Sequence, residues 1–138
     1  MEIVARNTKA EYHINPQVFK RLGVLLRNEI ISCFVNATDP YGKTWPPLSP
    51  KTIARRRGQS NKPLIDTGTL MNSIGFQAAK NSVIVGASTA APYAPFHQFG
   101  ADNIPQRQFI PDAKNLPNKW TDLINNTLKN AVQISIRN

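Results

Sequence analysis

The sequence predicts an α+β fold: a small antiparallel sheet packed by two long amphipathic helices, with a long Pro-rich basic loop. Three observations predict it. Apolar residues recur at a 3.6-residue period over 18–34 and again over 116–131. Ile74–Lys80 and Ser82–Ala87, the second with the β-branched run Val83-Ile84-Val85, read as two strands with a turn near Lys80-Asn81, the pattern of a hairpin. From Asp39 to Pro63 there are five prolines, two glycines and almost no periodicity. A chain of 138 residues has the length of one domain, taken as residues 1–138, and is long enough to bury a core without disulfides or metals.

Taken in order, Glu2–Arg6 and Glu11–Ile14 read as short strands. Asn15-Pro16 opens the first long helix, because Asn can cap free N–H groups and Pro loses no bond at the first position. Phe19, Leu22, Leu26, Ile30, Cys33 and Phe34 form its apolar face, with Val18 and Leu25 beside it. That face is expected to pack on the sheet that carries Val83 and Val85. Gly23 costs about 1 kcal/mol there against Ala, which marks close packing of another backbone. The helix stops near Ala37, and Asp39-Pro40-Tyr41-Gly42 reads as a turn.

Trp45, beside Pro46 and Pro47, is expected to pin the loop by its buried area. Ser49 caps a short helix over Lys51–Arg57, with Pro50 at its first position. Asp66 or Thr67 caps another over Gly68–Ser73, with Leu70, Met71 and Ile74 inward. The hairpin, Ile74–Lys80 and Ser82–Ala87, follows. Tyr93, Phe96 and Phe99 recur at a spacing of three, consistent with a helical turn that Pro95 starts. Ile104–Pro111 is extended and bounded by prolines. Leu116, Trp120, Leu123, Ile124, Leu128 and Ala131 make the second long helix. Val132–Ile136 alternates and reads either as a last strand or as more helix.

The charge is +9, from seventeen Lys and Arg against eight Asp and Glu. Such a balance points to an acidic partner: nucleic acid, an anionic lipid surface or an acidic protein. Lys43, Lys51, Arg55, Arg56, Arg57 and Lys62 carry six positive charges over 43–62 with no acid between them. They are the candidate contacts for phosphate or an acidic partner, because guanidinium forks suit both. Self-repulsion predicts a solvent-exposed, poorly ordered loop.

Catalysis is not expected. His13 and His97 have no Cys or carboxylate at metal spacing. Ser73, His97 and Asp66 come without a nucleophile elbow or Gly-rich oxyanion segment. Cys33 lies on the apolar helix face, where a thiol is inert. No metal and no cofactor are expected. No apolar run is long enough to span a membrane, and Met1–Ile14 has no apolar core of the kind a signal peptide needs.

Four segments arrive in order: Asp39-Pro-Tyr-Gly-Lys-Thr-Trp-Pro-Pro-Leu-Ser-Pro50, Leu64-Ile-Asp-Thr-Gly-Thr-Leu-Met-Asn-Ser-Ile74, Tyr93-Ala-Pro-Phe-His-Gln-Phe-Gly100 after Val85-Gly86, and Ile104-Pro-Gln-Arg-Gln-Phe-Ile110. The set resembles the phage virion-morphogenesis family, the tail-completion proteins of Mu-like and related contractile-tailed phages. It departs from the family after Gly100, where Ala101-Asp102-Asn103 stands in place of a longer, glycine-containing loop. The resemblance implies a non-enzymatic virion protein that completes the tail and joins it to the head. It implies a homo-oligomeric ring, commonly hexameric, made in the host bacterial cytoplasm and carried in the virion. The implied partners are tail or neck proteins, further copies of the chain, and DNA in the channel, with no membrane. As ring-builder parts, Tyr93, Phe96, Phe99, Ile104, Arg107 and Phe109 are the candidate oligomer interface, a mix of apolar anchors and an arginine. The competing reading is a small basic nucleic-acid-binding domain.

Overall fold

The computed structural model of the chain describes residues 1–4, 15–56, 62–66 and 68–137. Its elements run β1 (Glu2–Val4), α1 (Gln17–Asn36), α2 (Pro50–Arg55), α3 (Thr69–Ser73), β2 (Ile74–Ala78), β3 (Ser82–Ala87), α4 (Ala94–Phe99) and α5 (Asn118–Arg137). The strand expected at Glu11–Ile14 lies outside the described residues.

Helix α1 begins where Asn15-Pro16 predicts. Asn15 Oδ1 accepts the Gln17 N–H at 3.0 Å. Val18, Phe19, Leu22, Leu26, Ile30, Cys33 and Phe34 are buried on one face, and Leu25 beside them is half-buried. The helix ends at Ala37, whose φ of 53° turns the chain back so that Ala37 O accepts the Trp45 N–H at 2.8 Å. A positive φ is uncommon for alanine, and the loop that docks here holds it.

The sheet is antiparallel with strand order β1-β3-β2. The hairpin closes over Lys80-Asn81, with the Ala79 N–H donating to Ser82 O at 2.8 Å. Along β3, Val83 and Val85 bury toward α1 while Ile84 between them stays 46% exposed. That alternation is the period of a strand with one covered face. β1 adds the far edge, pairing Ile3 with Val83, and the Met1 ammonium donates to Val85 O at 3.1 Å.

Leu22, Leu26, Ile30 and Val83 have no exposed surface, and side chains this deeply buried each contribute about 1.5–3 kcal/mol. Helix α5 packs on α1 and buries Trp120, Ile124 and Ala131. Its ion pair to α1, Lys119 to Glu29 at 3.2 Å, contributes little, because the lysine is 74% exposed. The alternating stretch 132–136 continues as helix to Arg137 rather than forming a strand.

Two local expectations need correction. Gly23 marks a close approach, but the approaching group is an aromatic ring rather than a backbone: a Cβ there would lie 2.3 Å from Phe76 Cδ2. The N-cap of α3 is Gly68, at φ 85°, and not Asp66. Thr67, the other candidate cap, lies outside the described residues. A left-handed turn into the helix suits glycine, which has no Cβ to clash.

Candidate functional site

The four ordered segments of the sequence meet at one place. They enclose a cleft of about 550 Å³. Pro47 and Leu48 come from the first segment, Leu64, Gly68 and Leu70 from the second, Tyr93 and His97 from the third, and Ile104, Pro105 and Arg107 from the fourth.

Each wall is fixed by bonds that its own residues make. Asp39 Oδ1 accepts the N–H groups of Tyr41 and Lys43, at 2.9 and 2.8 Å, and shapes the turn at Gly42. The Tyr41 hydroxyl donates to Asn115 O and accepts from the Asp112 N–H, tying that turn to the approach to α5. Trp45 is buried as expected; its indole N–H donates to Gln108 O at 2.8 Å, and it meets the Phe34 ring edge-on. Phe109, 1% exposed, also packs against Phe34, with ring centroids 5.3 Å apart. Ser49 caps α2, its Oγ accepting the Thr52 N–H.

Arg107 closes the floor. It is 6% exposed, and its Nε and Nη2 donate to Pro46 O and Pro47 O at 2.9 and 3.1 Å. The proline-rich loop thus presents carbonyls to a cation rather than carboxylates. Burial and then the charge of Arg56 lower the pKa of Arg107. His97 lies against the same floor, edge-on to Tyr93 at 5.9 Å. Its Nδ1 is buried without a hydrogen-bond partner among the described residues. Burial first, then Arg107 and Arg56, push its pKa below the ordinary histidine value.

Helix α4 separates this cleft from an apolar groove of about 570 Å³ that includes Ala91, Pro95, Phe99 and Ile110. Between the two, Tyr93, Phe96 and Phe99 are 38%, 54% and 72% exposed. Gln98 holds the helix to the extended segment. Its Oε1 accepts the N–H groups of Phe109 and Ile110, and its Nε2 donates to Ile110 O at 2.7 Å.

The six residues expected at an oligomer interface therefore divide. Tyr93, Phe96 and Phe99 lie on the surface and Ile104 is half-buried beside them. Arg107 and Phe109 are buried within the chain's own fold, because the Pro46 and Pro47 carbonyls and the Phe34 ring take them up.

The basic loop divides as well. Lys43, Lys51 and Arg55 are exposed. Arg56 is half-buried, donating to Lys62 O and Ile65 O, and Lys62 Nζ donates to Val35 O in the last turn of α1 at 3.3 Å. Arg57 lies outside the described residues. The expected solvent exposure holds for Lys43, Lys51, Arg55 and Lys62, whereas Arg56 is drawn half inward by the Lys62 and Ile65 carbonyls. The sequence reading placed Asp39 and Tyr41 in a turn, which the structure shows, but did not single out their bonds or Gln98; all three lie inside the ordered segments, and that placement was the available signal. Among the described residues no group of His, Cys, Asp and Glu is arranged to hold a metal, and no helix is long and apolar enough to cross a membrane.

In comparisons with known proteins, the model of the phage virion morphogenesis family matches residues 4–133. No curated protein and no solved structure matches the chain.

Proposed function

From the premise that the chain belongs to the phage virion morphogenesis family, we propose that it is a non-enzymatic structural protein that completes the phage tail and joins it to the head as a homo-oligomeric ring. The observation that carries this reading is the aromatic ridge on α4. Phe96 and Phe99 are large apolar groups left in water on a helix that Gln98 holds in place. Exposed apolar surface flanked by two concavities is characteristic of protein–protein contact. A preformed ridge also loses little conformational entropy on docking.

In this reading Phe96 and Phe99 make the contact between copies, and Tyr93 and Ile104 border it on the side of the cleft. Lys43, Lys51 and Arg55 face an anionic neighbour at one rim of the ring, where a tail or neck protein joins. Assembly takes place in the host bacterial cytoplasm, and the finished ring stays in the virion. The +9 charge favours a second reading, a basic domain that binds nucleic acid, or DNA in the ring's channel.

Negative-stain electron microscopy of the concentrated protein, with and without duplex DNA, separates the two. Annular particles without DNA are the expected result. Small separate particles that collect only on added DNA, and leave it as salt rises, would favour the nucleic-acid reading.

A further inference from the structure

The geometry points to the cleft above Arg107 as a binding site for a carboxylate side chain, presented by an acidic peptide segment of a different virion protein. This deepens the assembly reading and rests on it for the occupant's being a protein.

Arg107 is a buried guanidinium, 6% exposed, and among the described residues it has no carboxylate partner. Two carbonyls hold its Nε and Nη2. Carbonyl dipoles orient a cation without neutralising it, and a buried unpaired charge is costly. Arg56 acts on Arg107, and both act on His97, in the same direction. Asp66 also lines the cleft, and it makes no ion pair with Arg107. His97 adds a buried Nδ1 that has no hydrogen-bond partner among the described residues. An arriving carboxylate supplies the missing charge.

The walls select the kind of anion. Leu48, Ile104, Pro105 and the Tyr93 ring place apolar surface beside the charged groups, with Ser49, Thr52 and Asn103 as polar neighbours. That combination fits an acidic side chain flanked by apolar ones. A duplex is read by cations that project, and its phosphates do not descend to a sunken guanidinium. A second copy of this chain is also a poor donor, since its eight acids are outnumbered by seventeen Lys and Arg.

The test is an NMR titration of the full chain with acetyl-leucyl-glutamyl-leucinamide at millimolar concentration. The glutaminyl peptide and a short oligothymidylate serve as comparisons. The unaltered chain is used because Arg107→Ala would also release Pro46 and Pro47. The glutamyl peptide should shift the amides of Leu48, His97 and Arg107 saturably and move the His97 imidazole titration upward. The glutaminyl peptide should bind about tenfold more weakly or worse. No saturable shift at the cleft, equal binding of the two peptides, or tighter binding of the oligothymidylate would each overturn the site. Ring formation is read separately by microscopy, so a silent cleft in a chain that still forms rings removes this site and leaves the assembly reading in place.

Discussion

The ring of Phe76 occupies the space above Gly23, so close that a Cβ at position 23 would lie 2.3 Å from Cδ2 and 2.5 Å from Cγ. Those atoms are the base of the ring, not a flexible tip, so a methyl group could be accommodated only by moving the strand or the helix. Gly23→Ala therefore opposes two effects. Helix propensity favours Ala by about 1 kcal/mol. Overpacking costs about 1–3 kcal/mol. A net loss of stability is expected in urea denaturation. In a Phe76→Ala background the clash is gone, and the same substitution should become neutral or stabilising. Loss of stability in both backgrounds would show that the contact is not the cause.

Gln98 is expected to matter more for stability than a surface amide usually does. Its three hydrogen bonds serve Phe109 and Ile110, in a segment that lacks a strand partner. Gln98→Leu removes all three and should cost about 1–3 kcal/mol. Gln98→Glu can still accept the two N–H groups but cannot donate to Ile110 O, so it should restore only part of the loss. Denaturant midpoints of the two variants check the order.

The contrast between Phe76 and Gln98 shows what was legible in the sequence. Repetition along the chain exposed the face of α1, the valines of β3 and the hairpin turn, because period alone determines which side is buried. Gly23 signalled a close approach, since glycine in a helix interior needs a reason, but nothing local identified a ring 53 positions away. Gln98 and Arg107 act through bonds to backbone atoms, at Ile110 and at Pro46 and Pro47. Any residue offers a carbonyl, so such bonds leave no complementary residue type to search for. For that reason Arg107 reads as an interface arginine in sequence and lies beneath the cleft in the fold.

His97 links stability to pH. Its folded pKa lies below the ordinary value of 6.5, through burial and the neighbouring cations. The unfolded state then binds more protons than the folded state just below that pH. Stability should fall as pH drops through about 6.5 and level off once the folded imidazole also protonates. His97→Gln should make the slope of stability against pH shallower in that window. Equal slopes for the two proteins would show that His97 titrates normally.

Cys33 should be inert in the native protein. It is 5% exposed, and burial, then Asp39 and Glu29, push its thiol up to about 12. Its Sγ–H donates to Glu29 O at 3.6 Å. At mildly alkaline pH, alkylation in the folded chain should be more than about a hundredfold slower than in denaturant. Similar rates in the two states would mean that the α1 core opens readily.

The central claim is that the exposed ridge of α4 joins copies of this chain, and solution mass tests it most directly. Light scattering on the purified protein, over a range of concentrations at moderate salt and without DNA, should give a multiple of the 15.4 kDa chain mass. Phe96→Ser together with Phe99→Ser should return that mass to 15.4 kDa while leaving the circular dichroism unchanged, because both side chains lie outside the core. An unaltered protein that remains at 15.4 kDa at every concentration, and gains mass only when duplex DNA is added, would contradict the claim.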